Sequence, residues 1–161
     1  MYFRLCGLIV AFLPLTQYLQ NTYKGVGTSS TDAIFQINGL SHLTFDGIDL
    51  EDASTTIGEE IEYGYYFNGS SSAGCSYNTI SNGAIVLGIP GERPKTSTRG
   101  IYFKSSGTTL ETSNSFNTID AVSIDNSAWG IQIKCSANFW GIITQADYNN
   151  AIINCTFGAN Q

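Results

Sequence analysis

The sequence predicts an all-β fold of stacked, repeating strand units, and three observations carry that expectation. Charged residues make up 12% of the 161-residue chain while glycine alone supplies 17 positions, so polarity comes mainly from Gly, Ser, Thr and Asn. That balance suits turn-rich strands rather than helices. A glycine-opened strand phrase recurs as Gly64-Tyr65-Tyr66-Phe67, Gly100-Ile101-Tyr102-Phe103, Gly130-Ile131-Gln132-Ile133 and, more weakly, Gly141-Ile142-Ile143-Thr144. A second phrase reads Cys75-Ser76-Tyr77-Asn78-Thr79-Ile80, then Asn114-Ser115-Phe116-Asn117-Thr118-Ile119, then Cys135-Ser136-Ala137-Asn138-Phe139. Short units that recur because none can bury a face alone are the mark of a solenoid.

Along the chain, Arg4 precedes the apolar run Leu5 to Leu15, which has the charge order and length of a secretory signal and is too short to span a bilayer. No A-x-A-like cleavage site follows Pro14, so the alternative is an apolar segment capping the open end of the solenoid. Residues 1–24 are therefore set apart as signal-peptide-like or capping, and 25–161 as the repeat domain. Leu43 to Leu50 alternates apolar and polar residues until Gly47 breaks the phase, which reads as strand, turn, strand. The glycine phrases begin at 64, 100 and 130, spacings of 36 and 30 residues, wide for a coil unless loops are inserted. Ala53 to Tyr63 and Gly88 to Arg99, the latter with Pro90 and Pro94, read as those insertions. About five coils fit. Ala151 to Phe157 still reads as a strand and no polar terminal unit follows, which predicts a fold truncated at its C-terminus.

Aligning the glycine phrases places Tyr65, Ile101 and Ile131 on one another in the core, with Phe67, Phe103 and Ile133 beside them. The intervening Tyr66, Tyr102 and Gln132 then form an outward ladder at the strand spacing of about 4.8 Å. Phenol rings and amides on such a ladder suit stacking on sugar rings and bonding to their hydroxyls. The alternative role is cross-strand stabilisation of the sheet.

Ile37 to Ile48, Asn78-Thr79-Ile80-Ser81-Asn82 and Arg99-Gly100-Ile101-Tyr102 resemble the right-handed parallel β-helix repeat family over roughly residues 30 to 157. They look most like β-helix regions inside large secreted bacterial surface proteins. The family also includes pectate-lyase-like and polygalacturonase-like enzymes. The resemblance implies a right-handed parallel β-helix, a secreted or cell-surface location, further domains of a larger parent protein, and a polysaccharide or cell-surface glycan as partner.

A polygalacturonase-like site would show Asn-Thr-Asp, paired aspartates, Gly-His-Gly and Arg-Ile-Lys, and none is present. Asn117-Thr118 is followed by Ile119, so Asp120 comes one residue late and faces the other side of a strand. His42, the single histidine, lacks glycine neighbours and reads as a turn residue. No Gly-x-Ser-x-Gly supports a serine hydrolase. No catalytic residue is therefore assigned.

Seven of the thirteen acidic residues, Asp46, Asp49, Glu51, Asp52, Glu59, Glu60 and Glu62, fall within one coil and its loop. Hard oxygen ligands at this density suit calcium, with Asp46, Asp49, Glu51 and Asp52 as candidate ligands, although the spacing matches no known calcium repeat. The competing reading is a solvated acidic loop. Arg93, Lys95, Arg99 and Lys104 in and beside the next insertion would compensate that charge if the two loops stack. Cys75 and Cys135 share a place in the second phrase and Cys155 lies one coil on, which predicts a buried thiol stack. A net charge of −6 gives no footprint for a phosphate backbone, excluding nucleic acid as a partner, and no segment is long enough to span a membrane. The expected function is a β-helix module presenting an extended adhesin-like or carbohydrate-binding face. The alternatives are a fragment of a polysaccharide lyase or glycoside hydrolase, and a purely structural stalk.

Overall fold

The computed structural model describes residues 4–5, 8–9, 21–28, 31–107, 109–135 and 147–158. Most of the N-terminal apolar run, the phrase Gly141-Ile142-Ile143-Thr144 and the segment Ser136-Ala137-Asn138-Phe139 lie outside them. Within the N-terminal segment, β1 (Arg4–Leu5) pairs antiparallel with β2 (Leu8–Ile9).

From β3 (Asn21–Gly25) onward every strand pairing is parallel. One sheet is formed by β4 (Ala33–Asn38), β7 (Tyr63–Gly69), β10 (Arg99–Ser105) and β13 (Trp129–Lys134). A second contains β5 (Thr44–Asp46), β8 (Thr79–Ser81), β11 (Thr118–Asp120) and β14 (Ala151–Ile153). The third contains β3, β6 (Ile48–Asp52), β9 (Ala84–Val86), β12 (Ser123–Asp125) and β15 (Thr156–Phe157). Successive strands visit the first, second and third sheet in turn, so the chain winds as a parallel β-solenoid. The expected five coils are reduced to about three, since three are complete among the described residues: β4 to β6, β7 to β9 and β10 to β12. The difference lies in coil length, because the Phe35, Tyr65, Ile101 and Ile131 rungs stand 30, 36 and 30 residues apart.

The register of the glycine phrases is the expected one. Tyr65 pairs with Ile101 and Ile101 with Ile131, while Phe67 pairs with Phe103 and Phe103 with Ile133. Tyr65, Phe67, Ile101 and Phe103 are buried, and Ile133, on the last rung of its sheet, is 39% exposed. Phe67 and Phe103 stack at 4.5 Å, and Phe35 stacks on Tyr65 at 5.4 Å. Such stacks contribute about 0.5–1.5 kcal/mol each beyond their burial. Ile80 and Ile119 fill the core from the second sheet, and Leu50, Ile85 and Ile124 from the third.

Glycine opens the phrase for a packing reason. A Cβ on Gly64 would stand 2.6 Å from the Gly100 carbonyl and 2.8 Å from the Ile85 side chain, and one on Gly100 would meet Ile124. Gly64 and Tyr65 therefore both face the interior, and the inside–outside alternation slips by one residue at each glycine.

Between the second and third sheets each rung turns on one residue in the left-handed region: Gly47 (φ 65°), Asn82 (54°), Ala121 (53°) and Asn154 (53°). Between the first and second sheets the corner is held by asparagines. Asn117 Oδ1 accepts the Asn78 amide at 2.9 Å, Asn150 Oδ1 accepts the Asn117 amide at 3.0 Å, and the Asn117 side-chain nitrogen donates to the Cys75 carbonyl at 2.9 Å. The buried amides of Asn78 and Asn117 and the Cys75 carbonyl are thereby satisfied from rung to rung.

Candidate functional site: the outer face of the first sheet

The four strands of the first sheet contain no Asp or Glu, in a chain of net charge −6. Their outer face instead carries phenols, amides and cations. Gln36, Tyr66, Tyr102 and Gln132 lie in register across β4, β7, β10 and β13, and Asn38, Asn68, Lys104 and Lys134 form the parallel row. Both lysines are exposed.

The expected ladder is present, with a packing that the sequence does not show. Tyr66 and Tyr102 stack on each other at 5.4 Å with an interplanar angle of 11°, and Tyr63 lies 4.9 Å from Tyr66 and 5.3 Å from Tyr102. The Arg99 guanidinium covers Tyr102 at 5.0 Å and Tyr63 at 5.7 Å, and donates to the Gln132 side-chain oxygen and the Ser97 carbonyl. Tyr102 is consequently only 7% exposed, against the expected solvent-facing position, whereas Tyr66 and Gln132 are half-buried. The rings turn their faces to one another and to Arg99. The Tyr66 hydroxyl donates to Asn68 Oδ1, and Asn68 and Gln36 both donate to Asn38 Oδ1, each at 3.2 Å. Burial pushes the Tyr66 hydroxyl above its ordinary pKa; it does the same for Tyr63, against the opposing pull of Arg99.

Sequence alignment missed Tyr63, Arg99 and Trp129, which pair in register one step before the phrase. Counted at period two they share the parity of the core residues, yet Tyr63 and Arg99 join the outer aromatic group and Trp129 is 52% exposed. The slip at the glycine moves them outside, and the glycine is the signal that would have revealed it.

The candidate calcium ligands have separate partners. Asp46 Oδ1 accepts from Ser81 at 2.7 Å and Asn82 at 2.8 Å, and those bonds, Ser81's foremost, hold its carboxyl below the ordinary pKa. Asp49 accepts the Ala84 amide at 2.8 Å, and Glu51 pairs with Lys24 at 2.7 Å. Asp52 is buried and accepts the amides of Ser54, Ile61 and Gly88. No group of three or more His, Cys, Asp or Glu that could hold a metal occurs among the described residues. The two insertions do leave at one corner and meet there, where Lys95 pairs with the fully buried Glu62 at 2.6 Å.

His42 is a turn residue (φ 63°) stacked on Tyr77 at 5.0 Å, and Tyr77 in turn stacks on Phe116 at 4.8 Å. The expected thiol stack is not formed. Asn114 stands above Cys75, bonding its amide at 2.8 Å, and Asp147 above Asn114. Cys135 directly follows β13 instead, and Cys155 lies between β14 and β15. Of the phrase at Cys135 only Cys135 itself is among the described residues, and the place above Asn114 is taken by Asp147. No helix among the described residues is long and apolar enough to cross a membrane. Comparison with protein-family models, with curated proteins and with solved structures gives no match for this chain.

Proposed function

We propose that this chain is a secreted or cell-surface β-helix module whose first sheet presents its outer face to a polysaccharide or cell-surface glycan. The observation that carries the reading is the segregation of chemistry: phenol hydroxyls, carboxamides, Arg99, Lys104 and Lys134 on one face, with no carboxylate in its strands. Amides and hydroxyls in register at about 4.8 Å offer repeated bonds to a chain of sugar hydroxyls, and the cations favour acidic sugars. The resemblance to β-helix repeats of large secreted bacterial surface proteins and the signal-like apolar run supply the location and the larger parent. Because the ring faces are occupied, recognition runs through ring edges, hydroxyls and amides rather than by stacking.

The mutual stacking of Tyr63, Tyr66 and Tyr102 favours one second reading, a structural stalk in which the ladder serves the sheet alone. A glycan array separates the two. The exposed pair Lys104→Ala and Lys134→Ala should leave thermal stability unchanged and weaken binding of acidic glycans about tenfold, an effect that fades as salt rises. Binding of no glycan, or binding indifferent to both lysines and to Gln132→Ala, refutes the glycan-binding face and leaves the stalk.

A further inference from the structure

A cleft of about 510 Å³ lies on another side of the solenoid, at the corner between the second and third sheets, lined by Asp49, Asn82, Ala121, Ser123, Asn154 and Thr156 among others. It is a shallow depression, widely open to solvent, with a volume in the range of small-ligand sites. The corner turns on Gly47, Asn82, Ala121 and Asn154, all at positive φ, and Ala121 is the one member that is neither glycine nor asparagine. Left-handed backbone disfavours alanine. An asparagine there would repeat its neighbours on the rungs below and above, and its side chain would project into the space that the cleft occupies.

The atoms left free around the cleft are oxygens. Asn82 Nδ2 donates to Asp46 at 2.8 Å and Asn154 Nδ2 donates to Asp120 at 3.0 Å. An ionised carboxylate only accepts, so each amide must turn its nitrogen to it and leave its Oδ1 for an outside partner. Asp49 spends one oxygen on the Ala84 amide at 2.8 Å and keeps the other. The hydroxyls of Ser123 and Thr156 make no hydrogen bond among the described residues. Strands of the two flanking sheets carry Asp46, Asp49, Glu51, Asp52, Asp120 and Asp125 against Lys24. The lining itself holds one carboxylate, too few for a divalent cation that takes six to eight hard oxygens.

We infer that this cleft binds a small ligand through a protonated primary amine, with Asp49 as the counter-charge, the Asn82 and Asn154 side-chain oxygens as acceptors, and Ala121 kept small to leave the space open. The site is independent of the glycan-binding face, and either can fail without the other. The test is amide NMR of the isotope-labelled full chain titrated with glucosamine, with N-acetylglucosamine, which has the same ring and no charge, and with putrescine, an amine without a ring. Saturable shifts at Asn82 to Ala84 and Ala121 to Ser123 are expected with glucosamine or putrescine and not with N-acetylglucosamine. Asp49→Asn should weaken them at least tenfold, and Ala121→Asn should abolish them while raising the melting temperature. Equal binding of N-acetylglucosamine, indifference to Asp49→Asn in a variant that melts as the parent does, or no saturable shift with either amine overturns the proposal.

Discussion

Asn117 receives the backbone amide of Asn78 on its side-chain oxygen at 2.9 Å, and through that bond one rung of the corner is fixed to the next. Asn117 is 2% exposed, and its side-chain nitrogen also serves the Cys75 carbonyl and Asn150. Asn117→Ala strands several buried polar groups at once, each costing about 1–3 kcal/mol. A loss of about 3 kcal/mol in urea unfolding is expected, with an unchanged denaturant slope.

Tyr65 offers the opposite case. Its hydroxyl is buried with no hydrogen-bond partner among the described residues, and burial drives its pKa far above the ordinary value. Tyr65→Phe removes an unsatisfied group and keeps the ring against Phe35 and Phe45. Stability should rise by about 1 kcal/mol, read as a higher melting temperature.

Gly100→Ala tests the reason for the recurring glycine. The new methyl would press on Ile124 and stand 2.8 Å from the Gly130 carbonyl. Overpacking of this kind costs about 2 kcal/mol. Combining it with Ile124→Val should recover part of the loss, so the two changes will be non-additive in a double-mutant cycle.

The ion pair at the stacked insertions predicts a pH dependence. The hydrogen bond that Lys95 donates to the Glu62 carboxylate holds the lysine protonated above its ordinary value of 10.5, against a smaller effect of burial. The folded state thus keeps the proton more tightly than the unfolded one. The stabilisation is fully present below pH 10.5 and is lost as pH rises through the folded value. Lys95→Met leaves the buried Glu62 carboxylate without its cation and should cost about 2 kcal/mol at neutral pH. The difference from the parent should shrink in strongly alkaline unfolding titrations, and Glu62→Gln added to Lys95→Met should restore part of the stability.

Thiol labelling separates the cysteines. Burial raises the Cys75 thiol above its ordinary pKa and removes it from solvent, whereas Cys135 and Cys155 are partly exposed. Iodoacetamide at mildly alkaline pH should modify Cys155 and Cys135 in the native protein and reach Cys75 only after denaturant is added, as followed by peptide mass.

The sequence by itself determined the all-β solenoid and its parallel register along the glycine phrases. Tyr65 over Ile101, and Phe67 over Phe103, follow from alternating apolar residues that have one face to bury. It also determined the acidic and basic insertions whose stacking pairs Lys95 with Glu62. The tertiary structure decided what period-two counting cannot express. At Gly64 and Gly100 the third sheet's Ile85 and Ile124 occupy the room of a side chain, and the resulting slip carries Tyr63 and Arg99 outward to cover Tyr102. Likewise the place above Asn114 in the corner is taken by Asp147, because coil length varies from rung to rung and composition carries no register. The acidic residues clustered in sequence were dispersed for a related reason. Asp46, Asp49, Glu51 and Asp52 face different neighbours once a turn at Gly47 and a strand alternation separate them, and each is engaged by the amide, hydroxyl or cation that the adjacent rung or loop presents.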